Sequence, residues 1–334
     1  MSNASKLMFF SILIISTTLV ISSETWLGIW MGLEMNMISF IPILFKSKKT
    51  SSAESCMIYL LIQSMGSILM LMLVLTNSSL MMLPYAEDEL VNTMLTFSMM
   101  IKAGIPPFHL WFPEIIKKME WAESLTLMTW QKIAPMTVIS YLINSLSITP
   151  ILISMSVITG AIGGLNQTSI KKIMAFSSIN HMGWMIACMK FNNLMWMTYL
   201  LIYSTIITMM IYILNKHSVM YINQMSFPSF LFTEKTLIII LFFSLGGLPP
   251  FLGFLPKWMV IQSMITSNAI PTMMIMIMSS LITLFYYLRL MSSSLMINSS
   301  SWKWNIQPTI NKSKWTTSMI TLNLILPVVL TFSL

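Results

Sequence analysis

The stretch SLGGLPPFLGFLPKW, residues 244–258, places three prolines and a lysine inside one of the most apolar parts of the chain. A closely similar phrase, KAGIPPFHLWFPE, occupies residues 102–114. Proline removes a backbone donor and clashes with the preceding helical turn, so two adjacent prolines should break a helix. In lipid, the backbone groups that such a break frees need partners from protein or water. Both stretches therefore predict an interrupted helix beside a polar pocket.

The composition of the whole chain is that of a membrane protein. Its 334 residues are 56% hydrophobic and only 8% charged, whereas soluble domains carry roughly 25% charged residues. Apolar runs of about 20 residues, the length of a helix that crosses a bilayer, recur throughout. We predict an all-α, polytopic membrane protein, one membrane domain over 1–334, with eleven spanning segments. These are placed at 7–23, 26–45, 56–76, 91–112, 123–146, 149–166, 173–189, 193–214, 236–266, 271–290 and 316–334.

Loop charges support this segment count. If the N-terminus lies on side A and every segment crosses, all loop cations except Lys190 fall on side A. They are Lys6, Lys46, Lys48, Lys49, Lys117, Lys118, Lys171, Lys172, Lys216, Lys235, Arg289, Lys303, Lys312 and Lys314. Cations accumulate on the cytoplasmic or matrix face, so side A is that face. The net charge of +8 therefore reflects the topology of the protein in the membrane and does not predict nucleic-acid binding.

The two proline-rich phrases also suggest an internal repeat. Aligning Gly104 with Gly247 aligns the following Pro-Pro-Phe triplets and lays the first predicted segment over the sixth. Each copy then holds five crossings, an odd number, so the second copy is inverted. Inverted repeats with matching discontinuous helices are typical of ion-translocating proteins. We predict two five-helix repeats followed by a loop and a C-terminal helix, at 7–146, 149–290 and 291–334. The alternative is a common kink motif that recurs without a repeat.

Three lysines and one glutamate lie away from the ends of predicted spanning segments, namely Lys102, Lys132, Lys257 and Glu34. A charge at the bilayer centre costs roughly 3 kcal/mol on insertion scales, so each needs a partner or a role. A buried lysine can exchange its proton near neutral pH, whereas an arginine stays protonated. We predict a relay in which the pairing of Glu34 with Lys102 changes and the other lysines pass protons through water. The alternatives are structural ion pairs and, for Lys257, snorkelling to the interface.

His109 and His181 are auxiliary candidates because imidazole titrates near neutral pH, although a lone buried histidine also serves as a hydrogen-bonding core residue. Ser177, Ser178 and Asn180 could carry a water chain beside His181 or simply pack helices together. The sequence shows no nucleotide-binding glycine motif, no cysteine cluster and no haem attachment motif. We therefore predict no redox centre in this chain, so the energy for proton movement comes from outside it.

Five stretches closely resemble one known family. They are TWLGIWMGLEMN (25–36), KAGIPPFHLWFPE (102–114), MTWQKIAP (128–135), GAIGGLNQTSIKKIMAFSSINHMGWM (160–185) and SLGGLPPFLGFLPKW (244–258). They are similar to mitochondrial NADH–ubiquinone oxidoreductase chain 2 of an insect-like type, a family of antiporter-like subunits in the membrane arm of complex I. The 37 methionines and the single arginine also indicate a mitochondrial genome.

The resemblance implies a proton-translocating core subunit of respiratory complex I. Electron transfer from NADH to ubiquinone would occur in other subunits, which hold NADH, FMN, the iron–sulfur clusters and ubiquinone, and this chain would hold no cofactor. The partners would be other membrane-arm subunits and phospholipids including cardiolipin. The site positions that match the family's motifs are Glu34, Lys102, Lys132, Lys257, His109 and His181.

The resemblance also implies a multi-pass protein of the inner mitochondrial membrane, with eleven helices. Side A becomes the matrix, which holds the N-terminus, and the C-terminus points toward the intermembrane space. Two other functions stay open. The chain could be a self-contained Mrp-like cation/proton antiporter, or a structural subunit whose buried charges only hold the membrane arm together.

Overall fold

The computed structural model describes residues 3–45, 50–80, 86–143, 146–191, 193, 195–226, 232–296 and 314–333. Within these ranges the chain is helical, with one isolated bridge between Ser169 and Tyr221. The first helices are α1 (Asn3–Ser22), α2 (Trp26–Leu44), α3 (Thr50–Leu80), α4 (Ala86–Ala103), α5 (Trp111–Lys118), α6 (Trp121–Met128) and α7 (Ile133–Leu142). They are followed by α8 (Thr149–Leu165), α9 (Ile170–Phe191), α10 (Met195–Lys216), α11 (Phe232–Gly246), α12 (Phe254–Thr266), α13 (Ile270–Met296) and α14 (Lys314–Ser333). The all-α prediction is confirmed.

Five of these helices contain stretches that are long and apolar enough to cross a membrane. The stretches are Ala4–Ser22, Trp26–Leu44, Thr50–Thr76, Met195–Lys216 and Ile270–Ser292. The chain is thus a multi-pass helical membrane protein, and the count of eleven crossings stays a prediction. Parts of the predicted loops, at 46–49 and 297–313, lie outside the described residues.

The chain divides into two compact units, Met1–Ser156 and Val157–Leu334, and the boundary falls within α8. In the first unit, α1 packs against α2 and α7, and α3 packs against α2, α4 and α5. In the second unit, α9 packs against α10 and α12, and α11 packs against α10, α13 and α14. The boundaries of the inverted repeats stay a prediction.

Both proline-rich phrases break their helices, as predicted. The first break separates α4 from α5, and the second separates α11 from α12. Gly104 and Gly247 follow the ends of α4 and α11 with φ of 71° and 76°, a conformation that glycine adopts readily and other residues rarely do. The peptide bonds Pro106–Pro107 and Pro249–Pro250 are both cis. Both breaks therefore begin at a glycine with a similar positive φ.

The predicted segment 123–146 contains a third interruption, which the sequence analysis did not predict. α6 ends at Met128, a 3-10 turn spans Trp130–Lys132, and α7 begins at Ile133. Pro135 lies in the first turn of α7 and lacks the N–H that would continue a helix back into this turn. The interruption places Lys132 where two helices meet.

Helices pack closely through small side chains that satisfy their own polar groups. The hydroxyls of Ser16 and Ser39 donate to the carbonyls of Leu13 and Asn36, at 2.8 and 2.9 Å. Such bonds satisfy a hydroxyl in an apolar setting without a partner from another helix. At Gly32 an added Cβ would lie 2.7 Å from Cγ2 of Val20, so glycine permits the contact between α1 and α2.

Candidate functional site

The first unit contains a cavity of about 20 Å³ lined by both Lys102 and Lys132. Lys102 lies in the last turn of α4, next to the first proline-rich break, and Lys132 ends the 3-10 turn before α7. Both are buried, with 6% and 2% of their surfaces exposed. A cavity of this volume can hold about one water molecule when polar groups line it. The structure therefore brings two of the predicted lysines to one small space.

Carboxamide side chains supply the polar lining of this cavity. Gln131 Nε2 donates to Asn36 Oδ1 at 3.0 Å, and the Tyr59 hydroxyl lies 3.4 Å from Gln131 Oε1. Gln63 Nε2 donates to the backbone carbonyl of Lys102 at 2.9 Å. That carbonyl belongs to the last turn of α4, where helical partners are missing. The network ties α2, α3 and the 3-10 turn to the end of α4.

Lys102 reaches the cavity across a glycine of the neighbouring helix. A Cβ added at Gly66 of α3 would lie 2.8 Å from Lys102 Cγ, so the lysine stem occupies the space that a larger side chain would need. Glu34 of α2 is half-buried and acts electrostatically on Lys102. These two described residues do not form an ion pair within 4.0 Å. The predicted Glu34–Lys102 pairing therefore stays a prediction.

Lys132 lies over an aromatic ring contributed by α5. Its Nζ is 5.5 Å from the centroid of Phe112, which also lines the cavity. A cation at this distance from a ring face is stabilised by the ring quadrupole. His109 lies within the first break, just before α5. It is half-buried and is not one of the residues that line the cavity.

The second unit holds Lys257 in the first turn of α12, directly after the second break. Its Nζ donates to the carbonyls of Gly246 at 2.8 Å and Leu245 at 3.4 Å, at the C-terminal end of α11. These carbonyls have lost their helical partners and lie at the negative end of the helix dipole, so they stabilise a cation. The ammonium also lies 5.6 Å from the ring centroid of Trp184. With 6% exposed surface, Lys257 points into the protein.

His181 is buried on α9, and its Nδ1 lies 2.8 Å from the Tyr199 hydroxyl of α10. Ser177 and Ser178 each donate to a carbonyl three residues earlier, at 2.8 and 2.6 Å. The Asn180 amide donates to the carbonyl of Val157 at 3.2 Å. All three polar residues thus contribute to packing, and a water chain along them stays a prediction.

Sequence reasoning missed several polar residues in the interior of the units. Gln131 and Asn36 each lie within two residues of a predicted site residue, and this proximity in an apolar segment was the available signal. The sequence analysis did not single out Glu234 at the start of α11. It is 1% exposed, with its carboxylate 2.6 Å from Lys216 Nζ and 2.9 Å from His217 Nε2. The sequence does not reveal this cluster, because Lys216 and His217 at the end of α10 are separated along the chain from Glu234 at the start of α11.

Buried lysines beside two broken helices define a polytopic membrane protein of the antiporter-like class. Residues 23–283 match the model of the family described as NADH:quinone oxidoreductase/Mrp antiporter, transmembrane. The chain is 42% identical over 309 residues to NADH-ubiquinone oxidoreductase chain 2 of Locusta migratoria, covering 92% of this chain and 90% of the relative. It is 42% identical over 330 residues to the chain 2 protein of Anopheles gambiae, covering 96% and 94%.

The chain therefore belongs to the NADH-ubiquinone oxidoreductase chain 2 family, within the wider NADH:quinone oxidoreductase/Mrp antiporter family. This confirms the resemblance read from the sequence motifs. A solved structure of respiratory complex I from Thermus thermophilus with bound aureothin contains a chain of the same fold. It superposes with a TM-score of 0.83 at 18% identity, covering 98% of this chain and 77% of that chain.

Proposed function

We propose that the chain is a proton-translocating core subunit of respiratory complex I in the inner mitochondrial membrane. Other subunits would carry electrons from NADH through FMN and iron–sulfur clusters to ubiquinone, and this chain would move protons without a redox centre of its own. The names of the relatives and the antiporter-like family support this assignment. Its partners would be the neighbouring membrane-arm subunits and phospholipids, including cardiolipin.

The observation that carries the proposal is the shared cavity of Lys102 and Lys132. Two ammonium groups beside one small cavity repel each other, so the site favours a state in which one of them is neutral. A water molecule held by carboxamides such as Gln131 could then pass a proton between the two amines.

The remaining predicted residues fit the two ends of such a relay. Glu34 acts electrostatically on Lys102, so a change in its distance changes how strongly Lys102 holds a proton. In the second unit, Lys257 would receive or release the proton beside the second break. The matching breaks support two inverted five-helix repeats at 7–146 and 149–290. The loop charges support a matrix N-terminus and a C-terminus toward the intermembrane space.

Replacing Lys132 with methionine tests the relay, because methionine keeps the length and apolar stem of the side chain while removing the amine. The variant complex should reduce ferricyanide with NADH at the normal rate, since that reaction bypasses the membrane arm. Proton uptake by proteoliposomes during quinone reduction should fall strongly. Lys117→Met, at an exposed position of α5, is the matched control and should pump normally. Normal pumping by assembled Lys132→Met complex would refute the relay.

The family description also names Mrp antiporters, which supports a second candidate, a self-contained cation/proton antiporter. The two functions differ in their need for electron transfer. The isolated chain in liposomes would exchange sodium for protons under an imposed gradient if it were an antiporter, and would not do so if it depended on complex I. A purely structural role predicts instead that Lys132→Met lowers the amount of assembled complex and leaves pumping per complex unchanged.

A further inference from the structure

The second unit contains a cluster of buried hydroxyl groups that the lysine relay does not use. Four tyrosines, Tyr199 and Tyr203 of α10 and Tyr286 and Tyr287 of α13, are each at most 2% exposed. A tyrosine hydroxyl both donates and accepts hydrogen bonds, and in the interior of a protein it normally has a partner. Four of them in one region of a membrane protein are therefore a costly feature that calls for a role.

One end of this cluster is His181. The imidazole Nδ1 lies 2.8 Å from the Tyr199 hydroxyl, and the ring centroid lies 4.9 Å from that of Tyr203. The Tyr203 hydroxyl in turn lies beside Ser178 of α9. Ser178 precedes His181 by three residues, so both lie on the same side of α9. Trp184, the ring under Lys257, follows His181 by three residues on the same helix.

The other end of the cluster lies close to an exposed connection between α8 and α9. The Tyr287 hydroxyl lies beside Ser177, and the ring centroids of Tyr286 and Tyr287 are 4.7 Å apart. Tyr286 packs on Gly164, where an added Cβ would lie 2.7 Å from its ring. Gly164 belongs to the last turn of α8, and Asn166 and Thr168 just beyond it are exposed.

Arg289 of α13 binds the chain at the end of α8, near the exposed connection. Its guanidinium donates to the carbonyls of Leu165 and Gln167, the second at 2.9 Å, and so fixes α13 against the end of α8. Among the described residues, the hydroxyls of Tyr286 and Tyr287 complete no hydrogen bond of good geometry. A buried polar group left in that condition costs roughly 1–3 kcal/mol, which a bridging water molecule removes.

We propose that these hydroxyls form a proton path from the α8–α9 connection to His181, running through Tyr286, Tyr287, Ser177, Ser178, Tyr203 and Tyr199 with intervening water. The path rests on the proposed proton-translocating function and adds to it an entry route within the second unit. Along it each oxygen accepts a proton from one neighbour and gives its own to the next, so no group changes its net charge after a passage. At the end, Nδ1 of His181 takes the proton from the Tyr199 hydroxyl, and Nε2 gives its own proton to an intervening water molecule.

The test removes hydroxyls and keeps the aromatic rings. We would prepare the complex with Tyr203→Phe, Tyr287→Phe and both together, with Tyr212→Phe of α10 as the matched control because Tyr212 is 52% exposed. Pumping into proteoliposomes should fall roughly two- to tenfold in each single variant, which corresponds to one lost hydrogen bond in the path. The reduction of ferricyanide by NADH and the amount of assembled complex should match those of the control.

Three outcomes would overturn the path. Normal pumping by the assembled double variant would show that protons do not use these hydroxyls. Failure of both single variants to assemble, with normal assembly of Tyr212→Phe, would show that the hydroxyls serve structure. Equal loss of pumping in the control would show a non-specific effect. Lys132→Met keeps the two proposals separate, since it tests the relay in the first unit without touching any tyrosine.

Discussion

Gly66 determines whether Lys102 can reach its cavity, and the variant Gly66→Ala makes that dependence measurable. The new Cβ would lie 2.8 Å from Lys102 Cγ on one side and 3.2 Å from the Ser98 carbonyl oxygen on the other. Carbon atoms in contact prefer about 3.5–4.0 Å, so the lysine stem must move by about 0.7 Å or more. The Ser98 carbonyl belongs to the backbone of α4 and limits how far that helix can yield.

The stability and the activity of Gly66→Ala should respond differently. Alanine is favoured over glycine in a helix by about 1 kcal/mol, and overpacking costs about 1–3 kcal/mol, so the two effects largely offset each other. Alignment for proton transfer is far more sensitive, since a displacement near 1 Å can cost roughly 100-fold in rate. We therefore expect near-normal assembly with pumping reduced at least several-fold.

The assay compares proton uptake per assembled complex with the rate of NADH–ferricyanide reduction. The matched control is Met65→Leu, the preceding residue of α3, whose side chain is 63% exposed and does not face Lys102. Assembled Gly66→Ala complex that pumps at the control rate would refute the view that the position of the Lys102 amine matters. Loss of assembly alone, with normal pumping per complex, would refute it equally.

Two further predictions concern the second unit. Lys257→Arg keeps the positive charge and can still donate to the carbonyls at the end of α11, but a guanidinium does not release its proton. Pumping by the assembled complex should therefore be lost. Normal pumping would show that Lys257 only anchors α12. Glu234→Gln removes the negative charge that Lys216 and His217 share and leaves one amide oxygen as an acceptor. The complex should lose about 1–3 kcal/mol of stability and unfold at a lower temperature, while pumping per intact complex stays normal. An unchanged melting curve would show that this buried cluster contributes nothing to stability.

The sequence predicted those features that depend on local chemistry. Glycine before two prolines marked both helix breaks, because backbone sterics act over a few residues whatever the rest of the chain does. The burial of Lys102, Lys132 and Lys257 agrees with their place in apolar runs, where a charge is rare, and their role stays a prediction. The 3-10 turn at Trp130–Lys132 was missed, since a single proline within the first turn of a helix is normally tolerated there.

The cavity itself could not be predicted, because it depends on contacts between residues distant in the chain. Asn36 and Gln131 meet only when α2 and the 3-10 turn pack together, and each alone is an ordinary polar residue in an apolar segment. The role of Gly66 is hidden for the same reason, since only the position of α4 shows what its missing side chain makes room for. The local sequence pattern was enough to locate the buried lysines. The residues around them depend on how the helices pack.

The surroundings of Lys257 are compatible with the proposed proton exchange as well as with anchoring of α12. A lysine ammonium has three N–H groups, and two acceptors, the carbonyls of Gly246 and Leu245, lie within reach of Nζ. A neutral amine keeps two N–H groups and gains a lone pair, so both carbonyl contacts can survive the loss of one proton. Only the third position on Nζ changes, from an N–H donor to a lone pair that accepts. The proposed exchange at the second break would therefore need little rearrangement of the protein around Nζ.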